Sequence, residues 1–120
     1  MPHLWVSSLG VVPKKAKGEY RLIHYLLHPE SDSVNDAIPQ ELCSVCYTPF
    51  NTVVRIVRSC GFEVKISKCD IKSAFLLLPV HSEDFDLLGF HFQGAFSIIR
   101  ALLMGCSISC AVFECFSSFL

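Results

Sequence analysis

Three sets of side chains in this sequence have the types and spacing to do chemistry. The first is Asp70, in "SKCDIKSAF" (Ser67 to Phe75), one acid inside an otherwise strand-like apolar run. A carboxylate in such a place costs free energy unless it is paired, hydrogen-bonded or bound to a metal. The second set is basic. Lys14, Lys15, Lys17 and Arg21 cluster, and Arg55, Arg58, Lys65, Lys68 and Lys72 form a looser group. Arginine offers phosphate a planar fork and lysine a compact charge. Net charge is −1, with the acids mostly in Glu30 to Glu41 and Glu83 to Asp86. Local basic patches on such a chain can still meet phosphate, while the plain reading of each charge run is a solvated surface. The third set is Cys43 and Cys46, a C-x-x-C pair that would serve a small zinc module. Structural zinc wants a second pair at suitable spacing. Cys60 and Cys69 do not form one and the histidines are scattered, so no zinc is expected.

Composition limits what can hold these groups. A chain of 120 residues is one domain at most, and 52% hydrophobic residues are ample for a core. Mean hydropathy is +0.47, high for a freestanding soluble domain. That suits a membrane protein or a piece of a larger core. A spanning helix needs roughly 20 mostly apolar residues. The best window, Ala101 to Leu120, contains Gly105, Glu114 and several serines. Met1 to Gly10 has neither a long apolar run nor a basic start. The expectation is no membrane span, and an intracellular protein, cytoplasmic or nuclear, or a fragment. Seven cysteines, an odd number, point to free buried thiols. Cys106, Cys110 and Cys115 read as small apolar core residues on a helix.

The elements follow from pattern. Leu9 to Val12 is apolar and Pro13 ends it; Lys14 to Gly18 reads as a turn; Tyr20 to Leu26 resumes a strand. Together they predict a hairpin with a basic tip. His28 to Gln40 reads as a long polar loop. Thr48-Pro49 predicts a helix start, with threonine capping and proline in the first turn. Val53, Ile56, Val57 and Cys60 recur at helical spacing, and Gly61 is a natural stop. Phe62, Val64 and Ile66 alternate, which predicts a strand running into Asp70. Pro79 bars a helix through "SAFLLLPV". His81 to Leu87 suits a short polar helical turn. Leu88 to Phe92 and Phe96 to Ala101 flank Gln93-Gly94, a second hairpin. Ser107 or Ser109 would cap a last helix carrying Val112, Phe113, Phe116 and Phe119. His24, His28, His81 and His91 read as solvent-facing or capping. The class is α+β or α/β.

In order along the chain stand "GEYRLIHYL", "DSVNDAIP", "KCDIKSAFLLLPV" and "GFHFQGAFSIIRALLMGCSISCAVFECF". This order resembles the fingers and first half of the palm of a retroelement reverse transcriptase, an RNA-directed DNA polymerase. The nearest class is the tyrosine-recombinase (DIRS-like) one, and the likeness runs from about Ser7 to Leu120. It implies an α+β fold with a small antiparallel sheet and packing helices, about 1–60 fingers-like and 61–120 palm-like. It implies that Asp70 is the first catalytic aspartate and a ligand of two magnesium ions. Ile71 would face the incoming nucleotide, and Phe75 would be the bulky residue at the sugar. Arg21 would contact the triphosphate, with Lys14 or Lys15 as its companion. Leu102-Leu103-Met104-Gly105 matches a motif usually written Leu-Pro-x-Gly, so Met104 and Gly105 would pack on nucleotide and template. Phe113 matches an aromatic on the next helix. The implied partners are template-primer and dNTP.

Elementary chemistry suits these roles. Two magnesium ions roughly 4 Å apart clamp the attacking and leaving oxygens of phosphoryl transfer. The departures are Leu103 for proline, Met104 for the common glutamine, Ser8 for an expected proline, and an untidy "HYLLHPESDS". They look like the drift of a copy no longer held to function. The family's second carboxylate motif, Tyr-x-Asp-Asp, does not occur in these residues. The expectation is therefore a fragment that is inactive alone. The alternative is a non-catalytic captured remnant, a protein- or nucleic-acid-interaction module with a protein partner covering an exposed apolar palm face.

Overall fold

Two antiparallel hairpins carry the regular strand pairing. The computed structural model describes residues 3–119. In the first hairpin β1 (Ser8–Pro13) pairs with β2 (Tyr20–Tyr25), in register from Ser8 opposite Tyr25 to Pro13 opposite Tyr20. Pro13 has no N–H to extend the ladder. The chain then turns through Lys14 to Glu19, closed by the Lys14 N–H donating to the Glu19 carbonyl at 2.8 Å. The second hairpin joins β3 (Gly89–Phe92) to β4 (Ala95–Ile98). Its two-residue turn puts Gln93 at φ 49° and Gly94 at φ 79°. Positive φ at both positions matches the twist of the flanking strands.

The hairpins meet at Gly89 and form two separate two-stranded sheets. Val6 makes a parallel bridge to Gly89. The Gly89 N–H donates to the Trp5 carbonyl at 3.1 Å, and the Gly89 carbonyl accepts from the Ser7 N–H at 2.9 Å. A side chain would not fit here, since a Cβ on Gly89 would lie 2.7 Å from the Trp5 carbonyl oxygen.

Helix α1 (Phe50–Ser59) has an apolar face of Phe50, Val53, Val54, Ile56 and Val57, as the spacing predicts. Its start differs by one position. Pro49 occupies the cap site and Thr48 makes no capping bond. Gly61, at φ 83°, ends it. No residue of α1 is buried; Val54 and Val57 are half-buried, while Phe50, Val53 and Ile56 stand exposed. Helix α2 (Ser109–Ser117) starts after Ile108, without a serine cap. It packs on a short 3-10 turn, Ala74–Leu77, with the Phe113 and Phe75 rings edge-on at 5.7 Å. The polar turn Ser82–Leu87 forms as expected, with His81 Nδ1 accepting from the Glu83 N–H.

The strand expected from Phe62 to Asp70 does not form. Phe62 and Glu63 form a turn, with Glu63 at φ 68°, and Val64 to Asp70 are irregular and exposed. Alternation makes two faces, but a strand also needs a neighbour for its backbone groups. None lies alongside among the described residues. The thiols are also not buried: Cys46, Cys60, Cys69, Cys110 and Cys115 are exposed, and Cys43 and Cys106 are half-buried. Cys110 and Cys115 lie on the outer side of α2, where a thiol meets water.

The architecture is α+β with a small core. Leu26, Val34, Leu88 and Leu103 are buried together, with Trp5, Ile38, Val80 and Ile99 against them. The chain exposes 9874 Å², against about 6,500 Å² for a compact monomer of this mass. Its radius of gyration is 18.5 Å, against about 14 Å for a compact chain of this length. Much apolar surface therefore remains in water, Phe50, Phe62, Ile66 and Phe119 above all.

Candidate functional site

A cleft of about 440 Å³ opens between three segments of the chain. One wall is β2, with Arg21, Ile23 and His24. A second is Ile71 to Leu76, including Ser73 and Phe75, and a third is Ile99, Leu103 and Met104. Each wall is shaped locally. Ser73 takes a left-handed φ of 55°, which turns the chain into the 3-10 turn holding Phe75. Phe75 is half-buried because Phe113 of α2 lies against its ring. Met104 is exposed on the turn before Gly105. Gly105 has φ 105°, a region that only glycine occupies cheaply. A Cβ there would also sit 3.5 Å from the His24 carbonyl oxygen.

Hydrogen bonds fix that third wall. The Asn35 side-chain N–H donates to the Gly105 carbonyl at 2.8 Å, and Asn35 Oδ1 accepts from the Ser107 N–H at 2.9 Å. Ser109, fully buried, donates its hydroxyl to the Leu103 carbonyl at 2.8 Å. The expected capping serine is thus spent on the turn before the helix. Ser33 and Asp36 brace the loop that carries Asn35. Asp36 Oδ2 accepts from the Ser33 hydroxyl at 2.7 Å and from its N–H at 2.9 Å. These bonds, the hydroxyl first, hold the Asp36 carboxyl below its usual range.

His24 differs from its expected solvent-facing role. It is buried, its Nε2 faces the Gly89 carbonyl at 3.2 Å, and its ring lies edge-on to Phe90. Its Nδ1 is buried without a partner. Desolvation pushes its pKa below the ordinary histidine value, against a smaller upward pull from the Gly89 carbonyl. Gly89 thus meets β2 through the His24 side chain, and Trp5 and Ser7 through its backbone.

Four residues singled out in the sequence line this cleft together: Arg21, Ile71, Phe75 and Met104. Gly105 shapes the turn beside it. Lys14 and Lys15 do not line it. They sit on the exposed hairpin tip, where Lys14 Nζ is 3.3 Å from Glu19 Oε2. Asp70 is exposed on the irregular stretch just before Ile71 and is not among the cleft's walls. Of the magnesium ligands that the resemblance implies, Asp70 is the one matched in this chain. Among the described residues no three His, Cys, Asp or Glu side chains gather to hold a metal ion, and a lone carboxylate is a poor magnesium ligand set. No step is routed through such an ion. Cys43 and Cys46 gather no further ligand, and Cys43 Sγ faces the Pro39 carbonyl at 3.5 Å.

A second cavity of about 320 Å³ lies beside Trp5, lined by Val34, Ile38, Val80 and Leu103. It is the mouth of the core, with Asp84 the one charged residue on its lining. No helix among the described residues is long and apolar enough to cross a membrane.

Sequence reading quotes "DSVNDAIP" and offers Ser109 as a cap, but misses the bonds that Ser33, Asn35, Asp36 and Ser109 make. "SVND" did carry a signal: a serine with an acid three residues on is the reciprocal pattern of a capping box. Comparison of the chain with protein-family models, curated proteins and solved structures finds no match.

Proposed function

We propose that residues 1–120 are the fingers and first palm portion of a retroelement reverse transcriptase, supplying the nucleotide-facing walls of its site. One observation carries this reading. Arg21, Ile71, Phe75 and Met104 come from three distant segments and line one cleft. In this reading Arg21 takes the triphosphate, Phe75 closes the sugar side, and Met104 supports the base. Ile71 offers its backbone. Asp70 belongs to a carboxylate set that these residues do not complete. The 120-residue chain therefore binds dNTP weakly and does not extend a primer.

The test has two arms. Equilibrium dialysis with labelled dTTP at low salt should show weak, salt-sensitive binding. Losing the Arg21 fork removes charge-assisted hydrogen bonds, so Arg21→Ala should weaken binding at least about tenfold. Primer extension on an RNA template, with magnesium or manganese, should give no product beside an Asp70→Asn control. Binding that ignores Arg21→Ala sinks the nucleotide reading. Extension that Asp70→Asn abolishes sinks the claim that the chain is inactive alone.

A second reading is a protein-interaction module. The largely exposed apolar face of α1 and the exposed Phe62 to Asp70 stretch favour it. Retention of full nucleotide-independent binding to a protein partner by Arg21→Ala would favour it over the first.

A further inference from the structure

We infer that Asn35 is a positioning residue for the cleft: its side-chain amide clamps the Met104–Gly105 turn and so sets the wall on which a ligand rests. The clamp spans 70 residues of sequence, and both ends of the amide are used. Nδ2 donates to the Gly105 carbonyl at 2.8 Å, and Oδ1 accepts from the Ser107 N–H at 2.9 Å. Turning the amide over would set oxygen against oxygen and N–H against N–H, so both partners agree on one orientation. The base of the clamp is itself fixed. The Asn35 N–H donates to the Leu26 carbonyl at 3.2 Å, and Ser33 is buried beneath it in its mutual bonds with Asp36.

The turn needs such a clamp. Gly105 is at φ 105°, where the chain has wide freedom, and Met104 just before it projects into solvent. The other fixed points are the Ser109 hydroxyl on Leu103, the Cys106 N–H on the Leu103 carbonyl at 3.2 Å and the Ser109 N–H on the Cys106 carbonyl at 3.1 Å. All three are local, within six residues of one another. Among the described residues, only the Asn35 side chain bonds the Gly105 carbonyl and the Ser107 N–H. The ligand named for the cleft rests on the proposed function; the clamp rests on these bonds.

The test separates the two. The chain has two methionines, Met1 and Met104. Labelling methionine methyls with carbon-13 therefore makes Met104 a readily assigned reporter. Asn35→Leu keeps the volume and removes both polar ends. Asn35→Asp keeps the acceptor for Ser107 and removes the donor to Gly105. The Met104 methyl should shift and broaden in both variants. Ser107 amide exchange should accelerate about tenfold in Asn35→Leu and stay slow in Asn35→Asp, since one net hydrogen bond is worth about a factor of ten. dTTP affinity should fall at least threefold in both. A Met104 signal and Ser107 protection unmoved in Asn35→Leu overturn the clamp. Should Asn35→Leu fail to fold, Asn35→Asp decides: a wild-type Met104 signal there overturns it equally. Absence of dTTP binding by the wild-type chain removes the nucleotide reading and leaves the clamp judged by the two spectroscopic signals.

Discussion

Adding one methyl group at Gly89 should loosen the joint between the hairpins. A Cβ there would lie 2.7 Å from the Trp5 carbonyl oxygen and 2.7–2.8 Å from the end of the Leu4 side chain. The leucine can swing away, but the carbonyl is backbone and can move only with its strand. Gly89→Ala must then either bear the overlap, at about 1–3 kcal/mol, or part from Trp5 and Ser7. Parting breaks the bonds at 3.1 and 2.9 Å, worth about 1 kcal/mol each. Either route costs about 2 kcal/mol, roughly a thirtyfold shift toward the open joint. Trp5 is the single tryptophan and lines the cavity beside the core. Its emission in a urea titration reads the joint directly. Gly89→Ala should red-shift native emission and lower the urea midpoint. Gly94→Ala is the control: a Cβ there has nothing within 4 Å and meets only the strain of φ 79°. It should lower stability by about 1 kcal/mol and leave Trp5 emission native. A Gly89→Ala chain with wild-type emission and midpoint would refute the packing argument.

Stability should fall with acid because of His24. Its folded pKa lies below the ordinary value of 6.5, so under that pH the unfolded chain binds a proton that the folded chain refuses. The urea midpoint should drop from about pH 6.5 downward, and His24→Leu should flatten that slope. Ser109→Ala removes the buried hydroxyl at 2.8 Å from the Leu103 carbonyl. That carbonyl keeps the Cys106 N–H at 3.2 Å, so losing the hydroxyl's bond should cost about 1 kcal/mol in urea denaturation. The exposed apolar side chains should drive self-association, since a lone monomer rarely shows more than a few hundred Å² of contiguous apolar surface. Light scattering should show mass rising with concentration, and a constant monomer mass would count against that.

What was legible in the sequence was local. Pro13 and the Gln93-Gly94 pair mark their hairpins because their backbone limits act within a turn. The α1 spacing shows a helix because the apolar stripe recurs inside ten residues. Phe62 to Ile66 has an equally clear period, yet forms no strand. A helix satisfies its own backbone, whereas a strand borrows its partner from elsewhere. Period two therefore says which side chains share a face and nothing about who lies beside them. His24 fails for a related reason. A histidine on a hairpin strand looks solvent-facing until a second hairpin, 65 residues on, brings the Gly89 carbonyl to its ring.

The site divides along the same line. By local pattern Arg21 is one charge of a basic cluster and Phe75 and Met104 are apolar residues, and only an ordered resemblance groups the three. Their meeting in one cleft is a three-dimensional fact that no window of sequence contains. Asn35 reads locally as loop, because bonds across 70 residues leave no period. Asp70 teaches the reverse. Its apolar neighbours suggested a buried carboxylate that must have a partner, but the segment is exposed and water can solvate the charge. The desolvation cost that would demand a metal or a cation does not arise in this chain. Any demand on Asp70 must therefore come from groups brought up against it rather than from the Phe62 to Asp70 stretch itself.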